Sequence, residues 1–556
     1  MKTQALLHEA ASILRQGESA LGAVAAGMAR SCARGGRLDA GALERFQPEG
    51  FRLAHLFAQT YAALSTLPVA DLGEVEALLT LAGAGMTANL LREQLPLLAA
   101  QIGGAGDAAA RFAEAPRVFD LVRVTGGTEF NGAAMAEIER LQSFGSDGLD
   151  GERLLLRRSF RDFSERRVQP FAERFHREDL LIPDELIRQA AELGCFGLSI
   201  PEAYGGVQER PDALGMVLVT EELCRTSLIF GSLITRPEIL ARALLKGGTE
   251  RQRRRFLPAM ASGGKMVAIS VTEPDFGSDV AGIQCAARRT ADGWRLTGTK
   301  LWCTFAGRAE WIGLLARSEP GPALGAKGLS LFVVEKPAFR ERDFEYRAPG
   351  GGRLAGRAIP TMGYRGMHSY ELSFEDYPVP AENLVGEEQG RGQGFYLQME
   401  GFAYGRLQTA ARALGVMQAA LEAAESYARD RHVFGRPLER YPLTQEKLVR
   451  MAAMVQACRQ GTYAAARALD EVADGAPAAT RMQAQMAASL VKFQACRQAE
   501  WITREAQQIH GGMGYAEEFP VSRLFADARV LSIFEGAEEV LALRVILPAL
   551  LKAHGG

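Results

Sequence analysis

Five segments of the 556-residue chain carry residue types whose spacing suits chemistry. In Ile533-Phe534-Glu535-Gly536-Ala537-Glu538-Glu539, Glu535 lies between apolar residues and a glycine. A carboxylate partly withdrawn from water there can serve as a general base. Ser270-Val271-Thr272-Glu273-Pro274-Asp275-Phe276-Gly277-Ser278-Asp279 gathers hydroxyls and backbone donors beside glycine, which suits a polar ring edge or a phosphate. In Gly298-Thr299-Lys300-Leu301-Trp302-Cys303-Thr304, the indole of Trp302 and the hydroxyl of Thr304 are two residues apart and are expected on one side of a strand. A flat ring can then lie on Trp302 while Thr304 bonds its edge. Arg431-His432-Val433-Phe434-Gly435 ends a long helix, with Arg431 placed to hold a phosphate. Gln507-Gln508-Ile509-His510-Gly511-Gly512-Met513-Gly514-Tyr515 has adjacent glycines, which allow close approach of backbone to a ligand. Each segment, alone, also has a plain structural reading: an exposed loop glutamate, a polar turn, a core tryptophan, a helix-end charge, a helix-capping turn.

These segments need a framework. Hydrophobic residues make up 47% and charged residues 23% of the chain, the balance of a soluble globular protein. Lys+Arg number 64 against 66 Asp+Glu, so the net charge of -2 leaves no electrostatic footprint for nucleic acid or an acidic membrane surface. The seven cysteines are odd in number and form no Cys-x-x-Cys pair, which argues against a zinc module or disulfide framework. No metal is expected, and a reducing, cytoplasmic compartment fits. No run of 18 apolar residues occurs, so no membrane insertion is expected, and Glu9 interrupts the place where a secretory signal would continue its apolar run.

Four regions follow from the patterning. Residues 1–147 read as a helical extension punctuated by Gly103-Gly104-Ala105-Gly106 and Gly126-Gly127, and residues 144–151 as a linker. Residues 152–265 are helical: Pro183-Asp184 starts one helix that Gly194 ends, and Thr249-Glu250-Arg251-Gln252 is a capping-box pattern. Residues 266–378 form a small β domain, with a hairpin around Asp292-Gly293, a buried strand at 329–334 and an alternating strand at 371–374. Residues 379–556 return to helical periodicity, as in Leu414, Met417 and Leu421.

Together, the order and spacing of the five segments resemble the acyl-CoA dehydrogenase family over residues 152–553. Ala203-Tyr204-Gly205-Gly206, Thr272-Glu273-Pro274 followed by Gly277-Ser278-Asp279, and Gln508-Ile509-His510-Gly511-Gly512 carry the resemblance. It implies a mainly α fold with a central β domain: a helical domain, a middle β-barrel and a C-terminal four-helix bundle, here with the N-terminal helical extension added. It implies FAD, an acyl-CoA substrate desaturated between Cα and Cβ, and an electron-transfer flavoprotein as acceptor. By the same resemblance, Glu535 removes the α proton. Val271, Thr272 and Ser278 contact the flavin or its pyrophosphate, and Trp302 and Thr304 flank the ring. Arg431, Phe434, Gln508 and Gly512 reach FAD from a neighbouring subunit, which makes the protein a homo-oligomer. Some relatives carry the base just before the arginine matching Arg406; Gly405 stands there, which supports Glu535. Ala537 and Glu539 depart from the threonine and glutamine usual in the family.

The extension, with segments such as Ile359-Pro360-Thr361-Met362-Gly363-Tyr364-Arg365-Gly366-Met367-His368-Ser369-Tyr370, resembles the branch of the family that turns (2S)-methylsuccinyl-CoA into mesaconyl-CoA in the ethylmalonyl-CoA pathway. That substrate ends in a carboxylate, which needs a cation or several donors when buried. Arg236, Arg365, His368 and Tyr370 are the candidates. An extension that caps a surface used for tetramer assembly would leave a dimer, with a tetramer as the alternative. Other readings of the same residues are a dehydrogenase or oxidase of another short or branched acyl-CoA, and a nucleic-acid-binding flavoprotein relative.

Overall fold

The computed structural model describes residues 2–210, 212–234, 236–472 and 476–555. The chain forms two compact units: residues 1–155 with 409–556, and residues 156–408.

The first unit begins with helices α1 (Lys2–Cys32), α2 (Gln47–Leu64), α3 (Glu74–Ile102) and α4 (Thr128–Leu141). Helix α3 is buried along most of its length, from Val75 to Ile102, because α1, α2 and α4 all pack on it. Every residue from Val75 to Gly85 is buried, and a stretch covered all round needs no polar face, which is why its sequence is Ala-, Leu- and Gly-rich without a clear stripe. The segment 144–151, expected as a linker, has no regular structure before Gly151 but is tied down. The Asp147 carboxylate meets Arg459 at 3.3 Å, and its carbonyl accepts from Gln460 Nε2 at 3.0 Å.

In the second unit, α5 (Gly151–Phe163) leads in from the first, and α6 (Ala213–Thr226) follows. Asp212 caps α6 through Gly215 N–H at 2.8 Å. The buried Glu222 of α6 is held by Arg161 at 2.9 Å and by Arg157. Helix α7 (Arg236–Gly247) precedes α8 (Glu250–Ala261), which starts with the expected capping box between Thr249 and Gln252. The arginines of α8 lie in exposed ion pairs, such as Arg254 with Glu250 at 2.8 Å.

One eight-stranded sheet follows: β1 (Val267–Ser270), β2 (Ala286–Thr290), β3 (Gly293–Thr304), β4 (Trp311–Arg317), β5 (Leu329–Glu335), β6 (Asp343–Arg347), β7 (Arg353–Ile359) and β8 (Ser369–Pro380). Its order is β1-β4-β2-β3-β8-β7-β6, with β5 paired to β4. A closed barrel is expected here; among the described residues the end strands β1 and β6 are not paired to each other, and what is seen is a single eight-stranded sheet. The β2–β3 hairpin aligns Thr290 with Gly293, so the loop residues are Ala291 and Asp292, one place earlier than the pattern suggested. Gly293 has φ 141 and a Cβ there would lie 2.4 Å from the Val379 carbonyl, so glycine is required.

Helix α9 (Gly394–Asp430) continues the chain into the first unit, where α10 (Pro442–Asp470), α11 (Ala478–Ile509) and α12 (Pro520–Leu531) complete it. Helices α2, α3 and α4 pack on α10, and α2 also packs on α11. The extension therefore shares a core with the C-terminal helices: Leu53, Leu56 and Phe57 belong to one cluster with Leu490, Phe493, Leu547 and Leu551. All seven cysteines are buried and unbridged. Among the described residues no helix is long and apolar enough to cross a membrane.

Candidate active site

Strand β1 delivers Val271 and Thr272 into a loop braced from inside. The buried Glu273 accepts from the N–H groups of Gln284 at 2.7 Å and Cys285 at 2.8 Å. Its carboxylate also pairs at 2.8 Å with Lys300, a fully buried residue of β3 that donates again to Val271 O at 2.9 Å. The Leu301 N–H closes the bracket on Thr272 O at 2.8 Å. The outer side of this loop is left with donors to spare. Among the described residues, the hydroxyls of Thr272 and Ser278 and the N–H groups of Gly277 and Ser278 have no partner. Such a donor set suits an anion.

Trp302 sits where β3 bulges. Tyr370 pairs with Cys303 and Leu372 with Lys300, so Leu301 and Trp302 together oppose Glu371. This extra residue interrupts the alternation expected to put Trp302 and Thr304 on one side. Trp302 takes φ 58 and is 54% exposed, whereas Thr304 is buried and shares a 2.9 Å hydrogen bond with Ser369. Phe305, Tyr364 and His368 are also left-handed, at φ 69, 58 and 52, and the Phe305 N–H donates to His368 O at 2.8 Å. Strain of this kind gathers where the surrounding structure over-determines a residue's position, commonly at binding sites.

The four candidate carboxylate-binding residues lie in this same unit and differ in how far they are already engaged. Arg365 donates to the carbonyls of Thr361 at 2.8 Å and His176 at 3.2 Å. Tyr370 donates to Glu341 O at 3.2 Å, and burial pushes its phenol up to about 12. His368 Nε2 meets Asp179 Oδ1 at 3.2 Å. Burial works against the charge of Asp179, but hydrogen bonds from His368 and Arg342 outweigh it and hold the carboxyl down at about 2. Arg236, the first residue of α7, is 7% exposed and donates through Nη2 to the Tyr364 hydroxyl at 2.6 Å.

In the other unit, Glu535 stands on the turn after α12. The turn is clamped by α9 and α11: the buried Arg412 lies 5.3 Å from the Phe534 ring centre, and Lys492 Nζ donates to Gly536 O at 2.6 Å. Glu535 itself has φ 54. One of its carboxylate oxygens, Oε2, is buried with no hydrogen-bond partner. Its N–H likewise has no acceptor among the described residues. A rigid turn thus holds a carboxylate and an amide donor without using either.

Arg431, Phe434, Gln508 and Gly512 gather at one end of this unit. His432–Val433 and Arg436–Pro437 pair as a two-residue hairpin, with left-handed Phe434 and Gly435 at its tip. Tyr441 pins the hairpin by donating to Val433 O at 2.7 Å. Phe434 is 98% exposed. The Gln508–Gly512 turn is docked alongside by His510, which stacks on Tyr427 at 4.3 Å, and Arg431 N–H donates to Tyr427 O. At Gly511 and Gly512 an added Cβ would meet nothing within 4 Å, so the turn is open to a ligand. This group and Glu535 are not brought together. Lys492 and Gln508 lie on the same helix, about 24 Å apart at 1.5 Å per residue.

Sequence reasoning assigned no role to the Glu273–Lys300 pair or to His510 and Tyr427. Both pairs position site residues rather than face a ligand, and their members are too far apart in sequence for any local pattern to join them. A lysine at a buried strand position was the one available signal.

Three family profiles match the chain: the acyl-CoA dehydrogenase N-terminal domain over residues 150–264, the middle domain over 268–377 and the C-terminal domain over 392–550. The (2S)-methylsuccinyl-CoA dehydrogenase of Cereibacter sphaeroides is 40% identical over 410 residues, spanning 74% of this chain and 72% of that protein. The butyryl-CoA dehydrogenase structure from Megasphaera elsdenii superposes with a TM-score of 0.64 at 31% identity, over 72% of this chain and 98% of that one. A chain from the work on the electron transferring flavoprotein of Acidaminococcus fermentans superposes equally, with TM-score 0.64 and 30% identity, over 72% of this chain and 97% of that one.

Proposed function

Because this chain belongs to the acyl-CoA dehydrogenase family, we propose that it desaturates a short, branched, dicarboxylic acyl-CoA, most directly (2S)-methylsuccinyl-CoA to mesaconyl-CoA. The observation that carries the chemistry is Glu535, fixed on a left-handed turn with Oε2 shielded and unbonded. The 40% identity to a methylsuccinyl-CoA dehydrogenase supports the substrate.

The residues fit FAD. The open donors of Thr272, Gly277 and Ser278 suit its pyrophosphate, and the exposed indole of Trp302 suits the face of its ring. FAD, when bound, supplies the acceptor for the β hydride. The chain does the rest. The α C–H of a thioester is a weak acid, so its proton leaves only for a positioned base while the thioester oxygen is stabilised. Glu535 takes that proton onto its carboxylate. The Glu535 N–H donates to the oxygen where negative charge develops. The clamps from Arg412 and Lys492 keep both groups in place, so little reorganisation accompanies the reaction.

Arg431, Phe434, Gln508 and Gly512 serve the FAD of a second copy, which makes the enzyme a homo-oligomer. Their distance of about 24 Å from the Glu535 clamp and the exposure of Phe434 support this division. We assign the extension to 1–147, the N-terminal domain to 152–265, the middle domain to 266–378 and the C-terminal domain to 379–556. The extension covers α10 and α11, which favours a dimer over a tetramer. An electron-transfer flavoprotein in the cytoplasm is the acceptor that fits a dehydrogenase of this family.

The test is a panel of CoA thioesters mixed anaerobically with the holoenzyme. Methylsuccinyl-CoA should bleach the flavin absorbance fastest among methylsuccinyl-, butyryl-, isobutyryl- and glutaryl-CoA. Faster bleaching by one of the others would reassign the substrate.

A further inference from the structure

We infer that a cavity between the extension and α10 binds a small α-amino acid with an apolar side chain. It lies within the first unit and shares no residue with the groups assigned above to flavin or thioester, so the inference is independent of the substrate reading.

Four helices enclose a space of about 200 Å³: α3, the ten-residue helix Pro116–Thr125, α4 and α10. Helix α3 packs on each of the other three. Gly85 permits the closest of these approaches, since a Cβ there would strike Thr125 Oγ1. Gly126 and Gly127 then end the short helix and lead into α4, so the turn puts no side chain into the gap. At about 30 Å³ per water, the cavity has room for roughly six or seven waters, or for a solute of about nine non-hydrogen atoms. It opens to solvent at Glu446 and Arg450.

Ala82, Met86, Val122 and Val449 make one side of the lining apolar. Two polar lining residues are engaged within the protein. Thr125 donates to Leu121 O at 2.8 Å, and the Asn89 amide bonds Glu93 at 2.9 Å and Arg92 at 3.1 Å. Three others keep open groups. Asn131 is 5% exposed and is anchored through Nδ2 to Gly127 O at 3.2 Å, but its Oδ1 has no donor among the described residues. Glu446 has no cation, and Arg450, one turn along α10, has no carboxylate among the described residues. Glutamate four residues before a basic residue is the order that favours an ion pair on a helix. Here the pair is not made: the Arg450 guanidinium lies 4.3 Å from the Trp501 ring centre instead.

These open groups define their complement. The guanidinium edge of Arg450 suits a carboxylate. Glu446 and Asn131 Oδ1 are both acceptors, which suits an ammonium. Neighbours at this helical spacing have Cβ atoms about 5–6 Å apart, so one compact zwitterion can reach both charges. An apolar side chain would lie against Met86 and Val122. A CoA thioester is far too large for the cavity, and a simple acid or amine leaves one of the two charges unanswered. A ligand seated here would brace α4 on α10, beside the 2.6 Å ion pair of Arg440 with Glu139.

The experiment is calorimetry on the full-length holoenzyme with L-leucine, 4-methylpentanoate, which lacks the ammonium, and 3-methylbutylamine, which lacks the carboxylate. L-leucine should bind at one site per chain, and each single-headed analogue should bind about 10-fold or more weakly by comparison. Glu446→Gln and Arg450→Gln alter exposed side chains, so both variants should fold and keep wild-type kcat/KM for the thioester measured without amino acid. Each should lose about 10-fold or more in affinity for L-leucine. L-leucine should raise the Tm of the wild type in a concentration-dependent way and that of the variants less. Absence of saturable binding by leucine, isoleucine, valine and methionine at about 10 mM would overturn the inference. So would equal binding of the single-headed analogues, or undiminished binding by both folded variants.

Discussion

Glu535→Gln keeps the size and polarity of the side chain and removes its capacity to accept a proton. If Glu535 is the base, steady-state turnover should fall by about 1,000-fold or more, within the range that a general base contributes. The flavin spectrum and the thioester affinity should stay close to wild type, because the turn is held by Arg412 and Lys492 rather than by the carboxylate itself. Absorbance of the purified variant and a turnover assay check both halves. The pair Glu273–Lys300 makes the opposite prediction. Both groups are buried, and the pair ties three points, the N–H groups of Gln284 and Cys285 and the carbonyl of Val271, around the loop that carries Thr272 and Ser278. Lys300→Met leaves a buried carboxylate without its cation, a change that costs about 3–5 kcal/mol. Denaturant unfolding should show that loss, and flavin should dissociate from the folded variant more readily than from wild type.

Between elements, the Arg157–Glu222–Arg161 cluster joins α5 to α6. Burial opposes the charge on Glu222, yet the two arginines outweigh it and hold the carboxyl down at about 2 from its ordinary 4.5. A carboxyl depressed by folding stabilises the protein above about pH 4.5 and loses that contribution as the pH falls toward 2. Thermal melts across that window should therefore drop more steeply for wild type than for Glu222→Gln, which starts from a lower Tm. Elements built from local signals were readable in the sequence. The Thr249–Gln252 cap and the β2–β3 hairpin need only residues a few positions apart. Elements defined by distant partners were not. Helix α3 shows no stripe because its first half, Val75–Gly85, is covered on all sides, and the alternation through Trp302 fails because a bulge is a property of two strands. The sheet order follows from pairings such as β3 with β8, about which neither strand's own sequence says anything. The candidate site was legible to the extent that its residues sit in short motifs.

At the scale of the molecule, the extension is part of the core rather than an ornament. Removing residues 1–147 would bare Leu490, Phe493, Leu547 and Leu551, now covered by α1 and α2. The truncated chain should bind a hydrophobic dye and scatter light, and any soluble fraction should sediment at an assembly size different from that of the full chain. A truncated enzyme that stays soluble, unchanged in size and fully active would show that the covered faces need no cover. The same shared core sets a timetable for the cell. The extension leaves the ribosome before the helices it packs against, which lie beyond residue 408. At about 5–20 amino acids per second, adding residues 156–408 takes roughly 10 to 50 seconds. For that interval the newborn extension waits with its greasy flank uncovered, and chaperones that guard nascent chains must keep it from its neighbours on the same polysome.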